Sequence, residues 1–149
     1  MLKTITQTWH ISRSLYSPQD IRNQIGNFLS THIALSKWVH RLQLVAAELI
    51  ANSCEHRFDN DYVVLTIRMT NYLGKVRVQI ILDDKSNVLI MQRYNNLRHA
   101  FKKRKLPIEN KSVHGRGLAI ILLWTDQMQF SKKRAGGLTV KVVKTIYLA

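Results

Sequence analysis

The chain has 149 residues, 46% hydrophobic and 21% charged, which is one domain's worth of sequence with ordinary globular composition. Twenty-three Lys and Arg against nine Asp and Glu leave a formal charge of +14, a surface that attracts anions of every kind: nucleic acid, nucleotides and acidic proteins. One cysteine, Cys54, excludes an internal disulfide and a zinc-cysteine cluster, and no apolar run reaches the roughly 18–20 residues of a membrane span.

The N-terminal stretch has no apolar block of the signal-peptide kind, so a reducing, cytoplasmic setting is expected. Ile5, Trp9 and Ile11 among threonines predict an edge strand over 3–12. Ser17-Pro18-Gln19-Asp20 reads as a helix start: Ser17 caps, Pro18 suits the first turn, and Asp20 complements the N-terminal dipole. Ile21, Ile25, Phe28 and Leu29 continue it at helical spacing. After a short bridge at Ile33-Ala34-Leu35, Ser36 is expected to cap a second helix over 36–57, rich in alanine and leucine and free of glycine and proline. Asp59-Asn60-Asp61 is a turn signal.

Two strands of period two follow. Val63, Leu65, Ile67 and Met69 form the apolar row of the first, and Val76, Val78, Ile80 and Leu82 that of the second. Residues 71–74 are the expected hairpin turn, and Asp83-Asp84 ends the second strand. Periodicity is weak over 85–114, which carries Arg93, Arg98, Lys102, Lys103, Arg104, Lys105 and Lys111 and is expected to form a functional loop. Gly115-Arg116-Gly117 then opens an apolar helix ending near Trp124. Met128 and Phe130 suggest a strand, 132–137 a basic turn, and Val140, Val142 and Ile146 a last strand. Helices grouped on one face of a mixed, mostly antiparallel sheet give an α+β two-layer sandwich as the expected fold.

The second helix holds the chemistry. Glu48, Asn52 and His56 recur every fourth residue and form one row beside the apolar stripe of Leu42, Val45 and Leu49. A carboxylate and an amide at the core boundary are costly unless a metal ion, a nucleotide or a water network satisfies them; the bland alternative is an amphipathic helix whose polar edge reaches the core boundary.

Glu48-x-x-x-Asn52 on a helix, an aspartate closing a strand, a long loop, and Gly115-x-Gly117-Leu118 opening a helix together resemble the GHKL, or histidine-kinase-like, ATPases. The run Glu-Leu-Ile-Ala-Asn-Ser-x-Glu-His, the run Gly115-Arg-Gly-Leu-Ala-Ile120 and the closing Gly136-Gly137-Leu-Thr-Val140 are similar to the anti-sigma-factor serine kinases within that superfamily. The resemblance spans nearly the whole chain and implies a Bergerat-type sandwich with an ATP lid over 85–114. It also implies roles. Glu48 would be the general base or polarise the attacking group. Asn52 would hold Mg²⁺, which bridges the nucleotide phosphates, and Asp83 would accept a hydrogen bond from the adenine amino group. Gly115, Arg116, Gly117 and Leu118 would meet the phosphates at a helix N-terminus, and Thr139 would belong to the last nucleotide motif. His56 and His114 receive no catalytic role.

The implied function is an ATP-dependent serine/threonine kinase that phosphorylates a small anti-anti-sigma (STAS-type) partner and sequesters a sigma factor, with a homodimer as a recurrent state of such relatives. The sequence departs from the family in two places: where Asp-x-Gly-x-Gly is usual, it reads Asp83-Asp84-Lys85-Ser86-Asn87, with both glycines replaced, and in the last motif Leu138 replaces a frequent threonine, though Thr139 follows it. That keeps open a module of the same fold that binds protein partners without nucleotide chemistry. A basic nucleic-acid-binding protein is the third reading, and it lacks any zinc, aromatic-stacking or helix-turn-helix pattern.

Overall fold

The computed structural model describes residues 2–12, 15–54, 62–84, 113–132 and 137–148. Strand β1 (Lys3–Ser12) leads to helix α1 (Pro18–Ser30), a 3-10 turn (Ile33–Leu35) and helix α2 (Val39–Cys54). Strands β2 (Tyr62–Tyr72) and β3 (Lys75–Asp84) follow, then helix α3 (Val113–Trp124) and strands β4 (Gln127–Lys132) and β5 (Leu138–Tyr147). The five strands form one sheet in the order β1-β2-β3-β5-β4. All four pairings among the described strands are antiparallel, so the mixed, mostly antiparallel sheet expected from the sequence is corrected to an antiparallel one over these residues.

The period-two rows decide which face is covered. Val63, Leu65, Ile67 and Met69 on β2, Val76, Val78, Ile80 and Leu82 on β3, and Leu138, Val140 and Val142 on β5 are all at most 1% exposed. They lie across from one another in register (Leu65 beside Leu82, Leu82 beside Val140) and pack with Ile25, Leu29, Leu35, Leu42, Val45, Leu49 and Ile50 of the helical layer. The opposite face of the sheet carries the alternate residues, among them Thr66, Arg68, Arg77, Gln79, Lys141 and Thr145. The result is the two-layer α+β arrangement that the patterns require.

The element boundaries follow local chemistry. Ser17 Oγ accepts from the Asp20 backbone N–H, and Pro18 occupies the first turn of α1. Ser36 does not cap α2. It closes the 3-10 turn, its N–H donating to the Ile33 carbonyl, and the chain passes through Trp38, which donates to Leu35, into α2 at Val39. Because the turns run on without a break, no capping side chain is required at Ser36. The hairpin tightens to Leu73-Gly74, with Gly74 at φ 78° and Tyr72 opposite Lys75. Helix α3 begins two residues before Gly115, so Gly115, Arg116 and Gly117 lie within its first turns. The expected lid over 85–114 and the end of the second helix at 55–57 lie outside the described residues, save that 113 and 114 begin α3.

Candidate functional site

Helix α2 is amphipathic, and its polar edge meets the core boundary as its spacing predicts. Leu42, Val45, Leu49 and Ile50 are fully buried, Glu48 is half-buried, and Asn52, one turn further on, is 7% exposed. Among the described residues the buried side-chain polar atom without a hydrogen-bond partner is Arg22 Nε, so the Asn52 amide is not a buried orphan.

At the same end of α2, Ser53 is fully buried and its Oγ donates to Asp84 Oδ2. Asp84 is 3% exposed and ends β3. The alternation explains the contact: Val76, Val78, Ile80 and Leu82 face the helices, and two more steps bring Asp84 to the same face. Asp83 points the other way. Its carboxylate accepts from Thr139 Oγ1 at 2.5 Å, across the β3–β5 pairing on the face away from the described helices. The structure therefore brings Glu48, Asn52, Ser53 and Asp84 to one end of the interlayer interface, and puts Asp83 and Thr139 together on the opposite face of the sheet.

Helix α3 completes this end. Its last residue, Trp124, stacks near the Arg41 guanidinium (5.9 Å), and Arg41 also lies over Trp38 (4.8 Å) at the start of α2. Helix α3 packs along α2. The C-terminus of α3 thus sits at the N-terminus of α2, and the two helices run antiparallel. The backbone of Gly115 to Leu118 then lies towards the Asn52–Ser53 end, because 12 residues of helix span ~18 Å, about the Arg41–Asn52 distance along α2. A helix N-terminus directed there favours negative charge. The side chain of Arg116 lies outside the described residues.

Two of the residues gathered here, Ser53 and Asp84, are absent from the sequence-derived set. Motif spacing selects Asp83, the first aspartate after the apolar run; strand parity, legible in the same run, selects Asp84. Among the described residues no group of three or more His, Cys, Asp and Glu side chains is placed to hold a metal ion. No described helix is long and apolar enough to cross a membrane.

The sequence matches no protein-family model, and no curated protein matches it. Among solved structures, it is similar to a chain of the SiaB-SiaC complex from Pseudomonas aeruginosa, with a TM-score of 0.62 and 17% identity over 94% of this chain and 88% of that one. At that identity the likeness is one of fold.

Proposed function

We propose that the chain is an ATP-dependent serine/threonine protein kinase of the anti-sigma-factor type. In this reading it phosphorylates a small anti-anti-sigma partner and, in the alternate state of the switch, holds a sigma factor. The observation that carries the reading is the placement of Asn52, 7% exposed, one helical turn from the half-buried Glu48 and beside the buried Ser53–Asp84 pair. The similar fold found in a complex of two proteins supports the part of the reading that concerns a protein partner.

The residues suit the group they would hold. Mg²⁺ takes few protein oxygens and completes its shell with phosphate and water, so one amide oxygen, from Asn52, is a sufficient protein contribution. Bound ATP supplies the transferable phosphoryl group. Glu48 takes the proton from the partner's hydroxyl, and the α3 N-terminus at Gly115–Gly117 stabilises the phosphate charge. For the adenine amino group we assign Asp84 in place of Asp83, because Asp84 shares a face with Asn52 and Ser53 and Asp83 does not.

Calorimetric titration with ATP, with and without Mg²⁺, tests the assignment. Wild type should bind in a Mg²⁺-strengthened manner. Glu48→Gln should still bind but transfer phosphate to the acceptor protein roughly 10²–10⁴-fold more slowly, the usual contribution of a general base. Asn52→Ala should lose the Mg²⁺-dependent increment. Asp84→Ala should weaken binding with or without metal, and Asp83→Ala should leave it near wild type. The second reading, a protein-binding module of the same fold without nucleotide chemistry, is favoured by Lys85 and Asn87 standing where the family has glycines. Absence of binding at millimolar ATP would establish it over the first.

A further inference from the structure

The face of the sheet that no described helix covers is not an ordinary solvated surface. Its centre is apolar: Ile81 and Val64 are half-buried, and Val143 is 2% exposed although no described helix lies over it. Register places cations on three sides of the Ile81–Val143 pair. Lys141 lies directly across from Ile81, Arg77 is across from Thr145, one step from Val143 along β5, and Arg68 is across from Gln79. Around them stand hydrogen-bonding side chains that carry no charge: Thr66, Gln79, Gln127, Gln129 and Thr145. Val143 forms part of the floor of a concavity of about 290 Å³, edged by Tyr72, Lys75, Arg77, Asp126, Gln127 and Thr145.

The two described acids at this face are both engaged. Asp83 accepts from Thr139, and Asp126 accepts from the Thr145 N–H and pairs with Lys144 at 3.2 Å. The face therefore presents net positive charge around an apolar centre, in a chain of +14. An apolar centre inside a polar rim is the anatomy of a protein interface. It is a poor match to nucleic acid. The face is a sheet with no described helix protruding to enter a groove, and its rings fall in two groups at opposite ends, Tyr72 and Tyr147 beside Lys75 and Tyr62 against His10, so successive bases would find no continuous row of stacking platforms.

We propose that the face of the sheet away from the described helices is a docking surface for an acidic protein partner, whose apolar residues meet Ile81 and whose carboxylates meet Arg68, Arg77 and Lys141. The surface lies across the sheet from Asn52 and Ser53, and the proposal stands independently of the nucleotide assignment. A partner seated here leaves the other end of the interlayer interface open.

The test is a titration of the ¹⁵N-labelled protein at 150 mM salt with three probes: a 20-residue Glu/Leu peptide, a Glu/Ser peptide of equal charge, and a 20-base-pair DNA duplex. The Glu/Leu peptide should shift the amides of Gln79, Ile81, Lys141 and Val143, and should bind more tightly than both the Glu/Ser peptide and the duplex. Arg77→Gln/Lys141→Gln should weaken it at least tenfold, whereas Lys3→Gln/Lys37→Gln, which removes the same charge from exposed positions elsewhere, should weaken it less than threefold. Ile81→Ser, checked for folding by its amide spectrum, should reduce the preference for Glu/Leu over Glu/Ser. Equal weakening by the two double variants, shifts centred on the helical layer, or no peptide binding at all would overturn the proposal. Tighter binding of the duplex to the same residues would overturn it in favour of nucleic acid.

Discussion

At Ser53 and Asp84 a hydroxyl and a carboxylate leave water together, and the hydroxyl is part of what makes the burial of the charge tolerable. Ser53→Ala removes that donor and nothing larger. It should lower stability by about 1–3 kcal/mol, the cost of leaving a buried acceptor short of a partner, read as the shift of a urea unfolding midpoint at neutral pH. Thr139→Ala is the matched control, because it takes a donor from Asp83 on the half-buried face, where water can replace it. Its cost should stay below about 1 kcal/mol. The same pair shows where motif reading stops at this scale. Which aspartate closes a motif is a matter of spacing, but which one faces the helices is a matter of parity, and the row Val76, Val78, Ile80, Leu82 carries that parity on to Asp84, as the register with Val63 and Leu138 shows.

Helix α1 contains a glycine with a structural cause at the scale of elements. Gly26 is buried, and a Cβ there would strike the side-chain amide of Gln43 on α2. That amide donates to the Arg22 carbonyl at 2.9 Å, so the two helices are joined by a bond that passes over the glycine. Glycine in a helix interior ordinarily costs about 1 kcal/mol against alanine. Gly26→Ala should therefore fail to stabilise the wild-type protein, and should recover a gain of roughly 0.5–1 kcal/mol in a Gln43→Ala background, a double-mutant cycle measured by chemical denaturation. The elements themselves were largely legible. The Ser17-Pro18 start of α1, the alternation of β2 and β3, and the apolar run of α3 all depend on local pattern, and each lies where the pattern puts it. The start of α2 was not legible, because Ser36 continues a turn that the preceding residues have already begun. The imidazole of His32 does the capping there, accepting from the Ala34 N–H, and histidine at that position gives no capping signal in a sequence.

For the whole molecule, the decisive feature is that the described helices all cover one face of the sheet. The apolar rows made this legible: three strands alternate, so one face must be dry. The sign of the charge was legible too, but its placement was not, because Arg68, Arg77 and Lys141 come from three strands and meet only through register. Ile80 and Ile81 measure the asymmetry directly, being the same residue type at adjacent positions of the same strand. Ile80 is 1% exposed, lies between Ile67 and Val142, and belongs to the core beneath the helical layer. Ile81 lies between Thr66 and Lys141 on the opposite face and is half-buried. Truncating a buried isoleucine loses its transfer free energy and leaves a cavity that a close-packed core closes only in part, a total of about 2–5 kcal/mol. At Ile81 the side chain gives up less burial, and water enters the space. Ile80→Ala should thus shift the urea midpoint by the equivalent of 2–5 kcal/mol, and Ile81→Ala by less than about 1.5. Equal losses at the two positions would mean that both faces of the sheet are covered in solution, and would place a second layer, or a second copy of the chain, over Ile81.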